Sequence, residues 1–94
     1  MIVLNVTYKC KPGMNRKFLE QIDALGIGDA CRAEEGNIRY DYYFPADGSD
    51  ELLLMEKWEN AEARARHAKP PHMSKLGELK AAYVNDVILE KFEV

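Results

Sequence analysis

Two histidines are the side chains in this sequence best suited to moving protons. His67 and His72 are the only histidines, and the pair Pro70-Pro71 lies between them. An imidazole has an ordinary pKa of about 6.5, so both side chains are candidate general bases near neutral pH. The simpler interpretation is structural: His67 ends a short predicted helix, where the helix dipole favours it, and His72 lies exposed in the first turn of the next helix.

The same two histidines do not predict a metal site. Their spacing crosses a proline break, which is not the H-E-x-x-H arrangement of two ligands on one helix, and no third ligand is spaced to join them. Glycine-rich phosphate loops, serine or cysteine nucleophile motifs and dinucleotide fingerprints are also missing from the sequence. We therefore expect neither a bound metal nor a bound nucleotide.

A second group of candidate residues lies on predicted strands. Trp58, the only tryptophan, shares its strand parity with Glu56, so the indole and the carboxylate are expected to point the same way. Asn5 is the one amide in the first strand, and a buried amide must either find local partners or face a ligand. Tyr40 belongs to a set of tyrosines that could line a pocket for a planar ligand, although strand packing is the simpler interpretation.

Hydrophobic periodicity predicts the elements that hold these residues. Strands are predicted over 2–8, 37–44, 52–58 and 84–94, and helices over 14–25, 61–68 and 71–83. Gly26 and Gly28 interrupt the first helix, which either ends there or restarts as a short turn through Arg32. The order β-α-β-β-α-β, with the second helix broken in two, predicts an α+β fold of the ferredoxin-like class: a four-stranded antiparallel sheet with helices on one face.

The other face of that sheet predicts a partner subunit. Residues 1–4 and 52–55 are apolar on both strand parities, whereas a sheet covered on one face only would alternate apolar with polar residues. We expect a second copy of the chain to cover this face in a symmetric homodimer. A monomer in sedimentation at micromolar concentration would contradict this prediction.

Length and charge limit the number of domains and the kinds of partner. The 94 residues suit one domain over 1–94, and 13 Lys+Arg against 16 Asp+Glu disfavour binding to nucleic acid or to an anionic membrane. No apolar run approaches the roughly 18 residues of a membrane span, and no signal-peptide pattern opens the chain, so a cytoplasmic protein is expected. Cys10 and Cys31 are expected to be reduced thiols, although a single bridge between them also fits the sequence.

Three motifs in order resemble the antibiotic biosynthesis monooxygenase family. They are EEGNIRY at 34–40, matching E-x-G-x-x-x-Y, EKW at 56–58, matching E-x-W, and HAKPPH at 67–72, with its histidine followed by a proline-histidine pair. Together they span most of the chain. The resemblance implies a dimeric α+β barrel, in agreement with the topology predicted above.

Members of that family include small monooxygenases that oxidise quinols or polyphenolic aromatics with O2 and use no flavin, haem or metal. A deprotonated dihydroxyaromatic can itself pass an electron to oxygen, so the protein need supply only a base, oriented hydrogen bonds and a dry pocket. The resemblance implies His67 as the base, Trp58 as a pocket wall, Asn5 as a donor to the developing oxyanion and His72 at the pocket mouth. Tyr40 and Glu56 complete the predicted set as substrate-binding residues.

Three alternatives remain open at this point. Asn5, Trp58 and His67 also resemble the residue set of haem-degrading monooxygenases, in which the histidine ligates the haem iron. The segment 34–40 is also similar to that of small isomerases that process phosphorylated autoinducer sugars. Some relatives have no demonstrated activity, so a dimer that binds a small molecule without catalysis is the third alternative.

Overall fold

The computed structural model describes residues 1–94 and contains four strands and four helices. They are β1 (Ile2–Cys10), α1 (Asn15–Ala24), α2 (Ile27–Arg32), β2 (Asn37–Tyr43), β3 (Glu51–Trp58), α3 (Ala61–Arg66), α4 (Pro71–Tyr83) and β4 (Val84–Glu93). The predicted order is confirmed, and each crossover between strands carries two helices. Gly26, with φ at +66°, separates the first two helices. None of the four helices combines the length and the apolar character needed to cross a membrane.

The strands form one antiparallel sheet in the order β2-β3-β1-β4. This is the ferredoxin-like α+β arrangement that the sequence predicts. Residues directly opposite each other on neighbouring strands share a face of the sheet. Leu4 pairs with Glu56, while the next residue along, Asn5, pairs with Met55. Leu4 and Glu56 therefore lie on one face, and Asn5 and Met55 on the other.

The hydrophobic core lies between the helices and one face of the sheet. Every second residue of β1 and β3 is buried there, and the residues between them are mostly half-buried. Phe18 and Ile22 of α1 and Leu76 of α4 pack on this face from the helix side. Leu25, predicted to continue the apolar stripe of α1, is 47% exposed because the helix ends at Ala24.

β2 departs from the regular alternation that its sequence predicts. The register against β3 shifts between Asn37 and Arg39, so one residue of β2 has no partner. That residue is Ile38, which is half exposed instead of sharing a buried face with Tyr40. Tyr40, beyond the irregularity, is fully buried.

The second face of the sheet carries no helix. We call it the open face. Cross-strand pairing places Ile88 and Phe92 of β4 there, beside Thr7 and Val3 of β1. Both β4 side chains are more than two-fifths exposed, so the open face presents apolar surface to solvent in the single chain.

Candidate functional site

Local sequence fixes both histidines at the junction of α3 and α4. Asn60 caps α3, because its side-chain oxygen accepts a hydrogen bond of 2.9 Å from the Ala63 backbone N–H. The helix ends after one and a half turns with His67 as its C-cap residue. Pro71 then occupies the start of α4, where its missing N–H costs nothing, and His72 follows in the first turn.

A glycine lets the turn after α2 approach these histidines. Gly36 has φ at +84°, and a Cβ added there would stand 2.5 Å from the Ala63 Cβ of α3. Only glycine fits both the backbone conformation and the contact. The glycine of the EEGNIRY segment is therefore the residue that brings Glu34 against α3.

Glu34 joins the two histidines. Its Oε2 lies 2.8 Å from His67 Nδ1 and 2.9 Å from His72 Nε2. The side chains of His67 and Glu34 are only 5% and 13% exposed. An ionised Glu34 oxygen can only accept, so the tautomers that pair with it carry their protons on His67 Nδ1 and His72 Nε2. In the neutral His67 ring, Nε2 is then left unprotonated and available as a base.

The Nε2 side of His67 faces a second carboxylate and two aromatic rings. Trp58 donates its indole N–H to Glu56 Oε1 at 3.0 Å, and the same oxygen lies 3.8 Å from His67 Nε2. The Trp58 and Tyr40 rings stand 4.7 and 5.6 Å from the imidazole, centroid to centroid. Glu56 and Trp58 point the same way, as their strand parity predicts, and both are buried.

This group opens onto a cleft of about 170 Å³ between the sheet and the helices α3 and α4. Its lining is mostly apolar and includes Val6, Tyr8, Tyr40, Met73, Leu76, Val87 and Leu89. The polar members are Glu56, His67, Arg64 and Lys80, and the Arg64 Nε is a buried donor without a hydrogen-bond partner. A base and two cations in a small apolar cleft suit a ligand that ionises at a hydroxyl group.

Two tyrosine hydroxyls and one thiol near the cleft are held neutral. Burial, followed by the nearby Tyr42, raises the pKa of the Tyr8 and Tyr40 hydroxyls well above their ordinary value of about 10. Burial also raises the pKa of the Cys31 thiol, to about 12. These groups keep their protons at neutral pH and can donate hydrogen bonds but cannot accept a proton. His67 is consequently the best-placed neutral base on the cleft.

Five of the six predicted site residues come together: His67, His72, Trp58, Tyr40 and Glu56. Asn5 does not join them. It lies on the open face opposite Met55, so its amide cannot reach the His67 cleft through the sheet. It lines a separate open-face cleft of about 430 Å³ with Thr7, Tyr43 and Glu90 among the other lining residues. The role implied for Asn5, a donor to an oxyanion held by His67, finds no geometric support within one chain.

Several residues of the site do not follow from the sequence. Glu34 belongs to a predicted motif, but nothing in its local pattern shows that it reaches both histidines. Arg64 could have been found, since it precedes His67 by three residues and so shares a side of α3. No third metal-type ligand was expected near the histidines, yet Glu34 and Cys31 supply two, and all four ligand atoms lie within 4.8 Å of one another. Both cysteines are buried free thiols in the structure.

Comparison with known proteins agrees with this architecture. The sequence model of the family described as antibiotic biosynthesis monooxygenase matches residues 1–78. The chain is 33% identical over 72 residues to "Putative monooxygenase YcnE" of Bacillus subtilis (strain 168), and the match covers 77% of this chain and 74% of that protein.

Two solved structures show the same fold. PA3566 from Pseudomonas aeruginosa superposes with a TM-score of 0.87 at 22% identity, covering 99% of this chain and 92% of that one. A protein described as a "putative antibiotic biosynthesis monooxygenase" from Nitrosomonas europaea gives a TM-score of 0.88 at 20% identity, covering 100% and 98%. At these identities the likeness supports the fold, whereas the family match extends over most of the sequence. This chain belongs to the antibiotic biosynthesis monooxygenase family.

Proposed function

We propose that this protein is a cofactor-independent monooxygenase that oxidises a quinol, or a similar electron-rich polyphenol, with O2. One observation carries the proposal: Glu34 Oε2 lies 2.8 Å from His67 Nδ1, and His67 lines an apolar cleft together with Glu56, which lies on its Nε2 side. The tautomer that donates to Glu34 leaves Nε2 as the base. Membership of the family supports a monooxygenase-like activity. The substrate class follows from what this cleft can activate.

The cleft favours a small aromatic ligand. Its volume of about 170 Å³ is below the roughly 300–1,000 Å³ typical of pockets for drug-sized ligands, so one or two fused rings suit it better than a haem. Tyr40 lines the cleft and offers an aromatic contact to a planar ring. Trp58, implied as a pocket wall, is instead fully buried against His67 and Glu56 and does not line the cleft. Arg64 and Lys80 provide positive charge that favours an aryloxide over the neutral phenol.

In the first step His67 takes the hydroxyl proton of the substrate at Nε2. The imidazolium that forms stays paired with the Glu34 carboxylate at 2.8 Å, which stabilises its positive charge. The product of the step is an aryloxide held in a largely apolar site, where its electrons are available to O2.

The oxygen step needs no other reductant. The aryloxide passes one electron to O2, and the resulting substrate radical and superoxide combine to form a C–O bond at a ring carbon that still carries hydrogen. The peroxide takes the proton from His67. Loss of the ring C–H hydrogen and cleavage of the O–O bond then release water and leave a carbonyl. For 1,4-naphthoquinol the balance is one quinol plus one O2 giving one hydroxynaphthoquinone plus one water.

The proposal includes a homodimer formed through the open face. Apolar side chains from β1, β3 and β4 lie there, among them Val3, Leu53, Met55, Ile88 and Phe92. Exposed apolar side chains gathered on one face are typical of a contact surface. A symmetric pairing would cover the same patch on both copies and leave the His67 cleft, on the opposite side of the sheet, facing outward.

Oxygen consumption with 1,4-naphthoquinol tests the proposed function. We expect saturable uptake above autoxidation for the wild type and its loss in His67→Gln, whose amide can still donate to Glu34. The control is Glu35→Gln, which alters an exposed neighbour of the site and is expected to keep wild-type uptake. Saturable uptake that is equal in His67→Gln would contradict the role of His67. Ligand-induced stabilisation without any uptake would favour a binding protein or an isomerase.

A further inference from the structure

Four side chains with metal-binding atoms converge on the Nδ1 side of His67, away from the Nε2 that faces the cleft. Cys31 lies in α2, Glu34 in the turn after it, His67 at the end of α3 and His72 at the start of α4. Their sulfur, oxygen and two nitrogen atoms lie within 4.8 Å of one another. Cys31 is fully buried and the other three side chains are less than one-fifth exposed.

The sequence spacing of the four residues matches one kind of zinc site except that a glutamate replaces a cysteine, and it emerges only once the fold adds Cys31 and Glu34 to the two histidines. Cys31 and Glu34 are separated by two residues, and His67 and His72 by four. Structural zinc sites commonly pair a C-x2-4-C segment with an H-x3-5-H segment, and carboxylates also serve as zinc ligands. Here a glutamate stands where the second cysteine of such a pattern would be.

The two imidazoles already face the same carboxylate oxygen. His67 Nδ1 and His72 Nε2 both contact Glu34 Oε2, at 2.8 and 2.9 Å. A tetrahedral zinc ion with bonds of about 2.0–2.3 Å places its ligand atoms about 3.3–3.6 Å apart. To bind such an ion, the closest ligand atoms would move apart by about half an ångström and the most distant ones would move together by about one. Side-chain rotation of Glu34 and Cys31 can supply these movements.

The charges of the four ligands, and the carboxylate that lies beside His67, also suit a divalent cation. A bound ion would displace the thiol proton of Cys31, and the resulting thiolate and the Glu34 carboxylate would together carry two negative charges that balance the ion beside two neutral imidazoles. Ligating histidines usually donate their other N–H to a carboxylate. Glu56 Oε1 stands 3.8 Å from His67 Nε2 and is itself fixed by Trp58.

We propose that Cys31, Glu34, His67 and His72 form a binding site for a divalent transition-metal ion of the Zn²⁺ or Co²⁺ type. This inference goes beyond the proposed function. A cation bound at Nδ1 of His67 takes the place of the Nδ1 proton, and the ring then keeps its proton at Nε2. In the metal-bound protein His67 therefore has no free nitrogen to act as a base on the cleft. Metal binding and base catalysis by His67 exclude each other.

Cobalt titration tests the site without any quinol or O2. Chelator-treated protein with reduced thiols is titrated with Co²⁺ under nitrogen, and absorption is recorded. We expect a saturable thiolate-to-cobalt charge-transfer band in the ultraviolet and intense visible d–d bands of a tetrahedral ion. Added Zn²⁺ should bleach both sets of bands. Cys31→Ser should lose the charge-transfer band, whereas Cys10→Ser, the matched change at the other buried thiol, should keep it.

A second variant covers the case in which Cys31→Ser does not fold. His72→Gln changes a partly exposed ligand and should weaken Co²⁺ binding by more than the roughly 10- to 100-fold that loss of an outer partner costs. Wild-type protein without a saturable charge-transfer band would overturn the proposal. So would a band that survives Cys31→Ser, or Co²⁺ affinity unchanged in His72→Gln. Because the titration uses no substrate, failure of the metal site and failure of the monooxygenase proposal are read separately.

Discussion

The two faces of one sheet differ in this protein although the same strands build both. On the helix-covered face β1 places Leu4 and Tyr8 in the core, and β3 places Glu56 and Trp58 beside His67. One residue along, Asn5 and Met55 lie on the open face with no helix over them. Period-two alternation thus separates the face that carries the candidate site from the open face, for which we propose a role in dimer contact.

The largest effect is expected on the helix-covered face. His67→Gln should reduce turnover of 1,4-naphthoquinol about 10²- to 10⁴-fold, the range for loss of a general base. Far-UV circular dichroism should show that the variant is folded. A comparable loss of turnover in Glu35→Gln, which is exposed, would mean that the assay does not report on this site.

The open face is tested by a pair of substitutions on β4. Val87 and Ile88 are 41% and 42% exposed, yet cross-strand pairing places Val87 on the helix side with Tyr8 and Ile88 on the open face with Thr7. Ile88→Lys should weaken the proposed dimer about 10²-fold or more, because it buries an unpaired charge. Val87→Lys should leave the dimer intact. Sedimentation that shows both variants equally associated would rule out the open face as the interface.

A smaller loss of turnover is expected from the residue that positions His67. Glu34→Gln removes the charge that stabilises the imidazolium but keeps the size of the side chain. Turnover should fall about 10- to 100-fold, less than in His67→Gln, since Nε2 can still accept a proton. The drop should appear mainly in kcat, because Glu34 does not line the cleft. A change confined to KM would contradict this positioning role.

The mildest test concerns pH and the buried tyrosine of β1. The folded protein raises the pKa of Tyr8, chiefly through burial, so the folded state binds the phenolic proton more tightly than the unfolded chain does. This contribution to stability is complete below pH about 10 and is lost as the pH rises further. The unfolding free energy should then fall by about 1.4 kcal/mol per pH unit for this group. In Tyr8→Phe the unfolding free energy, measured by urea titration, should fall less steeply above pH about 10 than in the wild type. The same pH dependence in both proteins would contradict this prediction.

Most of the fold was predictable because its elements follow from local patterns. Alternation in β1 and β3, the Asn60 cap and Pro71 at the start of α4 are signals contained in a few neighbouring residues. The exposed position of Ile38 is not predictable in this way, because a shift in strand register depends on the partner strand, which a single-strand pattern does not contain.

The site was harder to predict than the fold. Glu56 and Trp58 are two residues apart on one strand, so their common face could be predicted, and the structure confirms it. The contacts of Glu34 with His67 and His72 join residues more than thirty positions apart, through a turn that only Gly36 allows. The metal-type cluster was missed for the same reason, since its ligands come from the ends of three helices and meet only in the folded chain.

Oxygen labelling distinguishes a monooxygenase that uses His67 from a protein that only assists electron transfer to O2. Wild-type protein and His67→Gln are each given 1,4-naphthoquinol under ¹⁸O2, and the naphthoquinone product is examined by mass spectrometry at early times. A monooxygenase that uses His67 as its base should place one ¹⁸O atom in the hydroxynaphthoquinone of the wild type and form far less of this product in His67→Gln. Unlabelled naphthoquinone accompanied by labelled hydrogen peroxide would contradict the account, because the protein would then only assist electron transfer to O2.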